Sequence, residues 1–234
     1  MIFEPPLAEA RLVERYKRFL ADAELQDGRV VTLHCPNTGS MLGCAKPGSR
    51  IWYWASSNPR RKYPLTWELV ALDDGALVGI NTLRANRLVK EALTSHRLAA
   101  LSGYEEVRTE VAVDGSRIDF RLGAPGLPDC FVEVKSVTLS TGNGLGLFPD
   151  APSVRARRHL ETLCDLASQG FRAVLLYCAQ HTAIRRVAPA KQIDPAYAEA
   201  LLRAVGSGVE VLACGVSVDL ERIEIACELP VVPP

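Results

Sequence analysis

Residues 107–122 read VRTEVAVDGSRIDFRL, and residues 130–137 read CFVEVKSV. Asp114-Gly115 is a strong two-residue hairpin signal, because the favoured turn needs positive φ at both central positions. Closing that turn pairs Val113 with Ser116, Ala112 with Arg117, Val111 with Ile118 and Glu110 with Asp119. The strand period of two then predicts Val111, Val113, Ile118 and Phe120 on the buried face, with Glu110 opposite Asp119 on the other. Two like charges in direct cross-strand contact destabilise a sheet. A divalent cation would offset that cost, since Mg²⁺ prefers oxygen ligands and uses few carboxylates.

The second run adds Glu133 and Lys135 on one strand face, with Val132 and Val134 on the other. Two readings stay open at this point. One is a surface salt-bridge cluster in which Lys135 neutralises Glu133. The other is phosphodiester hydrolysis. In that reading Asp119 and Glu133 hold Mg²⁺ or Mn²⁺, helped by the Val134 carbonyl, and Glu110 serves an outer shell or a second ion. Asp119, Glu133 and Lys135 are then the catalytic set, with Lys135 orienting water or stabilising developing charge.

Working outward, residues 105–113, 116–122, 130–138, 172–179 and 209–218 predict strands, and 153–168 and 195–206 predict helices. That order describes an α/β domain, a meander followed by crossover units. The tail 219–229 reads as an edge strand. Residues 136–153, SVTLSTGNGLGLFPDAPS, read as a glycine-rich mobile loop over the acidic face. They lack the GxxxxGK[ST] spacing of a nucleotide-binding loop. Arg155, Arg157, Arg158 and His159 in the following helix are placed to meet phosphates. His181 follows a strand end, and His34 reads as a core or turn residue.

The first 80 or so residues read as β, with strands at 11–25, 29–35, 50–56, 66–73 and 76–82. Five short strands suggest a small barrel of OB type. The period then becomes helical over 84–101, with Gly103 as a stop. This sets the domain boundary: 1–83 for the barrel and 84–234 for the α/β domain. From Gly28 to Trp67 there is no Asp or Glu, but there are Arg29, Lys46, Arg50, Arg60, Arg61 and Lys62, all three tryptophans, Tyr53 and Tyr63. Cations interleaved with flat rings suit nucleic acid, with phosphates neutralised and bases stacked. Lys17 and Arg18 extend the patch. Trp52 and Trp54 share a strand face and could equally be core.

Lys+Arg and Asp+Glu are both 27, so the net charge is zero and a generally basic nucleic-acid coat is excluded. Seven cysteines without a CxxC pair argue against a zinc ribbon or a redox motif. The polar N-terminus and the lack of a long apolar run predict a cytoplasmic, non-membrane protein.

Longer motifs carry a family resemblance: YKRFLAD (16–22), HCPNTGSMLGC (34–44), NPRRKYPLTWEL (58–69), NTLRANRL (81–88), SRIDF (116–120), EVKSVTL (133–139) and FPDA (148–151). The sequence resembles the sugar fermentation stimulation protein A (SfsA) family. The resemblance implies an N-terminal OB-like β-barrel and a C-terminal PD-(D/E)XK nuclease-like α/β domain. It also implies DNA as partner and a link to regulation of sugar-utilisation genes. By motif, Asp119, Glu133 and Lys135 take nuclease-type positions, Glu110 an acidic position before them, and Arg155 and His159 positions in the helix after FPDA. One departure stands out: the family commonly reads TERG after FPDAV, where this chain has Val154 and Ala156 in place of an acid and a glycine. Two functional readings follow, a DNA-binding protein with a Mg²⁺-dependent endonuclease site, or a non-catalytic DNA-binding regulator on a nuclease-like scaffold.

Overall fold

The computed structural model of the chain describes residues 1–113 and 115–233. Its first half contains β1 (Ala8–Tyr16), β2 (Leu20–Leu25), β3 (Val30–His34), β4 (Arg50–Ala55), β5 (Leu65–Ala71) and β6 (Leu77–Gly79). β2 pairs with β1 and β3, and β4 pairs with β1 and β5, all antiparallel. A parallel bridge from His34 to Thr66 joins β3 to β5 and closes a five-stranded barrel. This is the expected OB-type barrel. Small and large side chains alternate in its narrow interior: Ala10, Ala21 and Ala23 beside Leu12, Leu33, Ile51 and Trp67.

The strand expected at 11–25 is in fact a hairpin. Lys17 (φ 49°) and Arg18 (φ 65°) make its turn, a conformation normally signalled by Gly or Asn. With neither residue present, the sequence reads straight through it.

The second half contains α1 (Leu83–Thr94), a 3₁₀ turn (Ala99–Leu101), β7 (Glu106–Val113), β8 (Ser116–Gly123), β9 (Cys130–Val137), β10 (Leu139–Ser140), β11 (Leu145–Phe148), α2 (Val154–Ser168), β12 (Arg172–Ala179), β13 (Arg186–Pro189), α3 (Pro195–Gly206), β14 (Glu210–Val218) and β15 (Ile223–Leu229). The main sheet runs β15-β14-β12-β9-β8-β7, parallel at its centre and antiparallel at both edges. Val132, Val134, Val174 and Leu176 pack on α1 from one face, and Phe131, Leu175 and Tyr177 pack on α2 and α3 from the other. Trp52 and Leu69, pointing out of the barrel, join the α1 core, so apolar packing runs from one half into the other.

Local chemistry sets the helix ends. α1 stops seven residues short of the expected end, because His96 (φ 54°) takes the left-handed position and the Arg97 N–H bonds back to the Ala92 carbonyl, the role glycine usually fills. Ser153 caps α2 by accepting from the Ala156 N–H. Asp194 caps α3 through the Tyr197 N–H, and also accepts from the Ser153 N–H at 2.8 Å, tying the two helix starts together.

Two expectations need correction. The glycine-rich segment is ordered: β10, β11 and β13 form a three-stranded sheet, with Gly142, Asn143 and Gly144 at positive φ in its turn. The hairpin face assignment also changes. Its turn expectation falls on Asp114, which lies outside the described residues. The Val113–Ser116, Ala112–Arg117 and Val111–Ile118 pairs are present, but the ladder omits Glu110 and Asp119. Ile118 packs with the α2 face and Phe120 with the α1 face, although they are two residues apart. Glu110 is left-handed (φ 54°) at this kink. The period of two restarts there, which a regular strand reading cannot anticipate.

Candidate active site

A cleft of about 280 Å³ opens between the barrel and the sheet. The barrel contributes Asn37, Thr38 and Gly39. The α/β half contributes Asn86 from α1, Asp119 from β8, Glu133 to Ser136 from β9, Asp150 and Arg155.

The kink in β8 creates the first acidic position. Asp119 belongs to neither sheet face. Its Oδ1 accepts from Asn86 Nδ2 at 2.7 Å, and its Oδ2 accepts from the Val134 N–H at 2.7 Å. Burial and the neighbouring charge of Glu133 push its carboxyl up, against the pull of the Val134 N–H, the Asn86 amide and Lys135. In an extended strand a residue's N–H and C=O project to the same side, so the Val134 carbonyl leaves β9 on the side of the N–H that meets Asp119.

Glu133 is almost wholly buried, at 2% exposure. Its Oε1 accepts from Lys135 Nζ at 2.7 Å and contacts His159 Nδ1. Burial raises its carboxyl, but the hydrogen bond from His159 and the charge of Lys135 outweigh that, so the net shift is downward. Arg155 Nε lies 3.3 Å from His159 Nε2. Lys135 Nζ lies 3.2 Å from His159 Nδ1, so the ring is held between Glu133 and two cations. The Glu133–Lys135 pair therefore forms, but in the interior rather than as a surface cluster.

The remaining oxygen, Glu133 Oε2, is buried and has no hydrogen-bond partner. A buried unpaired carboxylate oxygen is costly. Asp119, Glu133 and the Val134 backbone line the same cleft, and a set of two carboxylates and a carbonyl is the oxygen-only chemistry that suits a divalent cation completed by water. Glu110 does not join it. It is exposed and lies 3.6 Å from Arg117, because its left-handed backbone turns it aside. Among the described residues no three His, Cys, Asp or Glu side chains gather as a metal cluster, so any cation here rests on two carboxylates.

The cationic residues divide into groups. Arg155 lines the cleft. His159, expected to face nucleic acid, is 8% exposed and sits behind Glu133. Arg29 pairs with Asp27, Lys46 with Asp73 and Arg50 with Glu9, so half of the acid-free stretch's charge is neutralised by acids outside it. Among the described residues Arg60, Arg61 and Lys62 have no ion pair. Arg61 donates to Thr66 Oγ1 at 3.1 Å and lies 5.2 Å above the Trp54 ring. Trp52 and Trp67 are core, so the expected stacking platform is not on the surface. Lys17 and Arg18 are exposed at the β1–β2 turn. His181 is 2% exposed at the seam with β6, away from the cleft.

Sequence reasoning missed Asn86, Gly39 and Asp150 as cleft residues. Asp150 Oδ2 accepts from the Met41 N–H at 3.0 Å and from Ser40 Oγ at 3.2 Å, holding the barrel loop to the second half. Asn86 and Gly39 lie inside NTLRANRL and HCPNTGSMLGC, so motif length was the available signal.

Comparison with known proteins agrees along the whole chain. The family model for the sugar fermentation stimulation protein RE domain matches residues 83–222, and that for the SfsA N-terminal OB domain matches residues 13–80. Pyrococcus furiosus SfsA, solved in complex with Ca²⁺, is similar over 99% of this chain and 98% of its own, at 27% identity and a TM-score of 0.89. A repair endonuclease from Pyrococcus abyssi covers 88% of this chain and 87% of its own at 8% identity, but its TM-score of 0.35 carries no argument. With a closed barrel matched on one side of the cleft and the acidic sheet matched on the other, the chain belongs to the sugar fermentation stimulation protein A family.

Proposed function

We propose that this protein binds DNA and hydrolyses phosphodiester bonds in the cleft with a divalent cation, Mg²⁺ or Mn²⁺. The observation that carries this reading is the orphaned, buried Glu133 Oε2 beside Asp119. The Ca²⁺ complex of the Pyrococcus furiosus relative supports divalent-ion use by the same fold. Residues 1–83 act as the nucleic-acid-binding unit and 84–234 as the hydrolytic unit.

Asp119, Glu133 and the Val134 carbonyl would hold the cation. When bound, it polarises the scissile phosphate and lowers the pKa of water. The chain's own groups do the rest. Lys135, held 2.7 Å from Glu133, keeps a fixed positive charge where negative charge develops. His159 and Arg155 hold Glu133 in a single orientation. Asn86 and the Val134 N–H do the same for Asp119. Arg155 at the cleft wall contacts a phosphate next to the cut.

A second reading, a DNA-binding regulator of sugar-utilisation genes without turnover, draws on the engagement of Glu133 Oε1 by both Lys135 and His159, which would hold a scaffold together without any ion. Titration calorimetry with Mn²⁺ and a cleavage screen on supercoiled, single-stranded and branched DNA separate the two. Metal binding with metal-dependent cleavage supports hydrolysis. DNA binding with neither supports the regulator.

A further inference from the structure

We propose that Phe19 is a base-stacking element at the mouth of the cleft, and that DNA carrying unpaired bases is the substrate class; this rests on the DNA-binding reading above. The chain has six Phe, six Tyr and three Trp, and Phe19 is the only one of these rings that is exposed. At 44% exposure it stands out on the β1–β2 turn, with Lys17 and Arg18 exposed immediately before it. Of the rings in the basic stretch, Trp52 and Trp67 are core, Trp54 lies under the Arg61 guanidinium, and Tyr53 and Tyr63 are half-buried.

The turn is unusual in its own right. Two successive non-glycine residues, Lys17 and Arg18, hold positive φ. Positive φ usually recruits Gly or Asn. Strained backbone of this kind persists only where surrounding structure over-determines it. Here Arg15 does so. Its Nη2 donates to the Arg18 carbonyl at 2.7 Å, the Asn37 carbonyl at 2.9 Å and the Gly39 carbonyl at 2.8 Å. Asn37 and Gly39 line the cleft, so a single guanidinium nitrogen joins the turn to the cleft wall. The Cys35 N–H also bonds the Phe19 carbonyl at 2.7 Å. The turn that carries the ring is thus fixed to the cleft wall, and the two exposed cations next to the ring can hold flanking phosphates.

A flat ring set beside cations fits a base face next to its backbone, and the contact is independent of sequence because every base has a π-face. In a duplex those faces are covered by neighbouring pairs. Single-stranded, flapped or frayed DNA presents them.

The test measures binding of a single strand containing 2-aminopurine, and of the matched duplex, by wild type, Phe19→Ala and Phe19→Tyr. Phe19→Ala should weaken single-strand binding about 5- to 150-fold, the range for one lost stack, and leave duplex affinity within about 2-fold. Wild type should quench 2-aminopurine, Phe19→Ala should not, and Phe19→Tyr should restore both signals. Equal affinities for wild type and Phe19→Ala, or equal losses on both DNAs, would overturn the stacking role while leaving DNA binding intact. Absence of binding to either DNA by wild type would overturn the DNA-binding reading and this inference with it.

Discussion

Gly39 and Asp150, 111 positions apart in the chain, pack so closely that a Cβ on Gly39 would lie 2.5 Å from Asp150 Oδ2. The contact lets the barrel loop close over the second half, and Asp150 uses it to reach the Met41 N–H and Ser40 hydroxyl. Gly39→Ala should push Asp150 out of both bonds and cost about 1–3 kcal/mol, since a hydrogen bond to a charged group contributes about that much. Urea unfolding measures the loss, and an unchanged midpoint would show that the loop adapts freely.

The two acids respond oppositely to pH. Glu133 sits below its ordinary 4.5, so its contribution to stability is complete above 4.5 and is lost as pH falls through its lower folded value. Asp119 sits above its ordinary 3.8, so its contribution is present below 3.8 and is lost as pH rises through its folded value. Asp119→Asn removes the buried charge but leaves either Asn86 Nδ2 or the Val134 N–H without an acceptor, so the expected signature is the trend: its stability relative to wild type should fall from pH 7 towards pH 3. Glu133→Gln should be less stable at pH 7. Thermal unfolding across this pH range checks both signs.

The loop carrying Arg60, Arg61 and Lys62 holds three barrel cations that have no ion pair among the described residues. Replacing all three with Ala should weaken binding to every DNA sequence alike and flatten the dependence on salt, because fewer counterions are released. A folded triple mutant with the wild-type salt slope would remove this loop from the interface.

Glu68 is 2% exposed and receives Arg84 Nε at 2.7 Å, Asn81 Nδ2 at 2.9 Å and Trp54 Nε1 at 3.0 Å. It links β5 of the barrel to the start of α1. Glu68→Ala leaves Arg84 without its partner in a half-buried position, and should cost about 3–5 kcal/mol. The double variant Glu68→Leu/Arg84→Met should recover part of that loss, as chemical denaturation would record.

The sequence carried the architecture where pattern and period agree. Strands 172–179 and 209–218 are apolar runs suited to a buried parallel sheet, and the helices expected at 153–168 and 195–206 match α2 and α3. It failed where backbone conformation departed from what residue type signals. Lys17, Arg18, His96 and Glu110 are all left-handed without being glycine, and they account in turn for the missed hairpin, the overextended helix and the wrong hairpin face. Asp119, Glu133 and Lys135 were legible because an acidic hairpin beside an apolar EVK strand is rare. Asn86 and Asp150 were not, because an amide on a helix and an acid in a loop carry no spacing rule until the chain is folded.

The central claim is that the cleft breaks phosphodiester bonds with its own acids, and nicking of supercoiled, single-stranded and branched DNA in Mg²⁺ or Mn²⁺ by wild type, Glu133→Ala and Lys135→Ala tests it most directly. Wild type should cut at least one of these only when the ion is present. Glu133→Ala should be inactive and should no longer bind Mn²⁺, and Lys135→Ala should bind Mn²⁺ while cutting about 100-fold more slowly, as loss of a transition-state charge predicts. Cutting that is the same in all three proteins, or no cutting by wild type together with no metal binding, would contradict it.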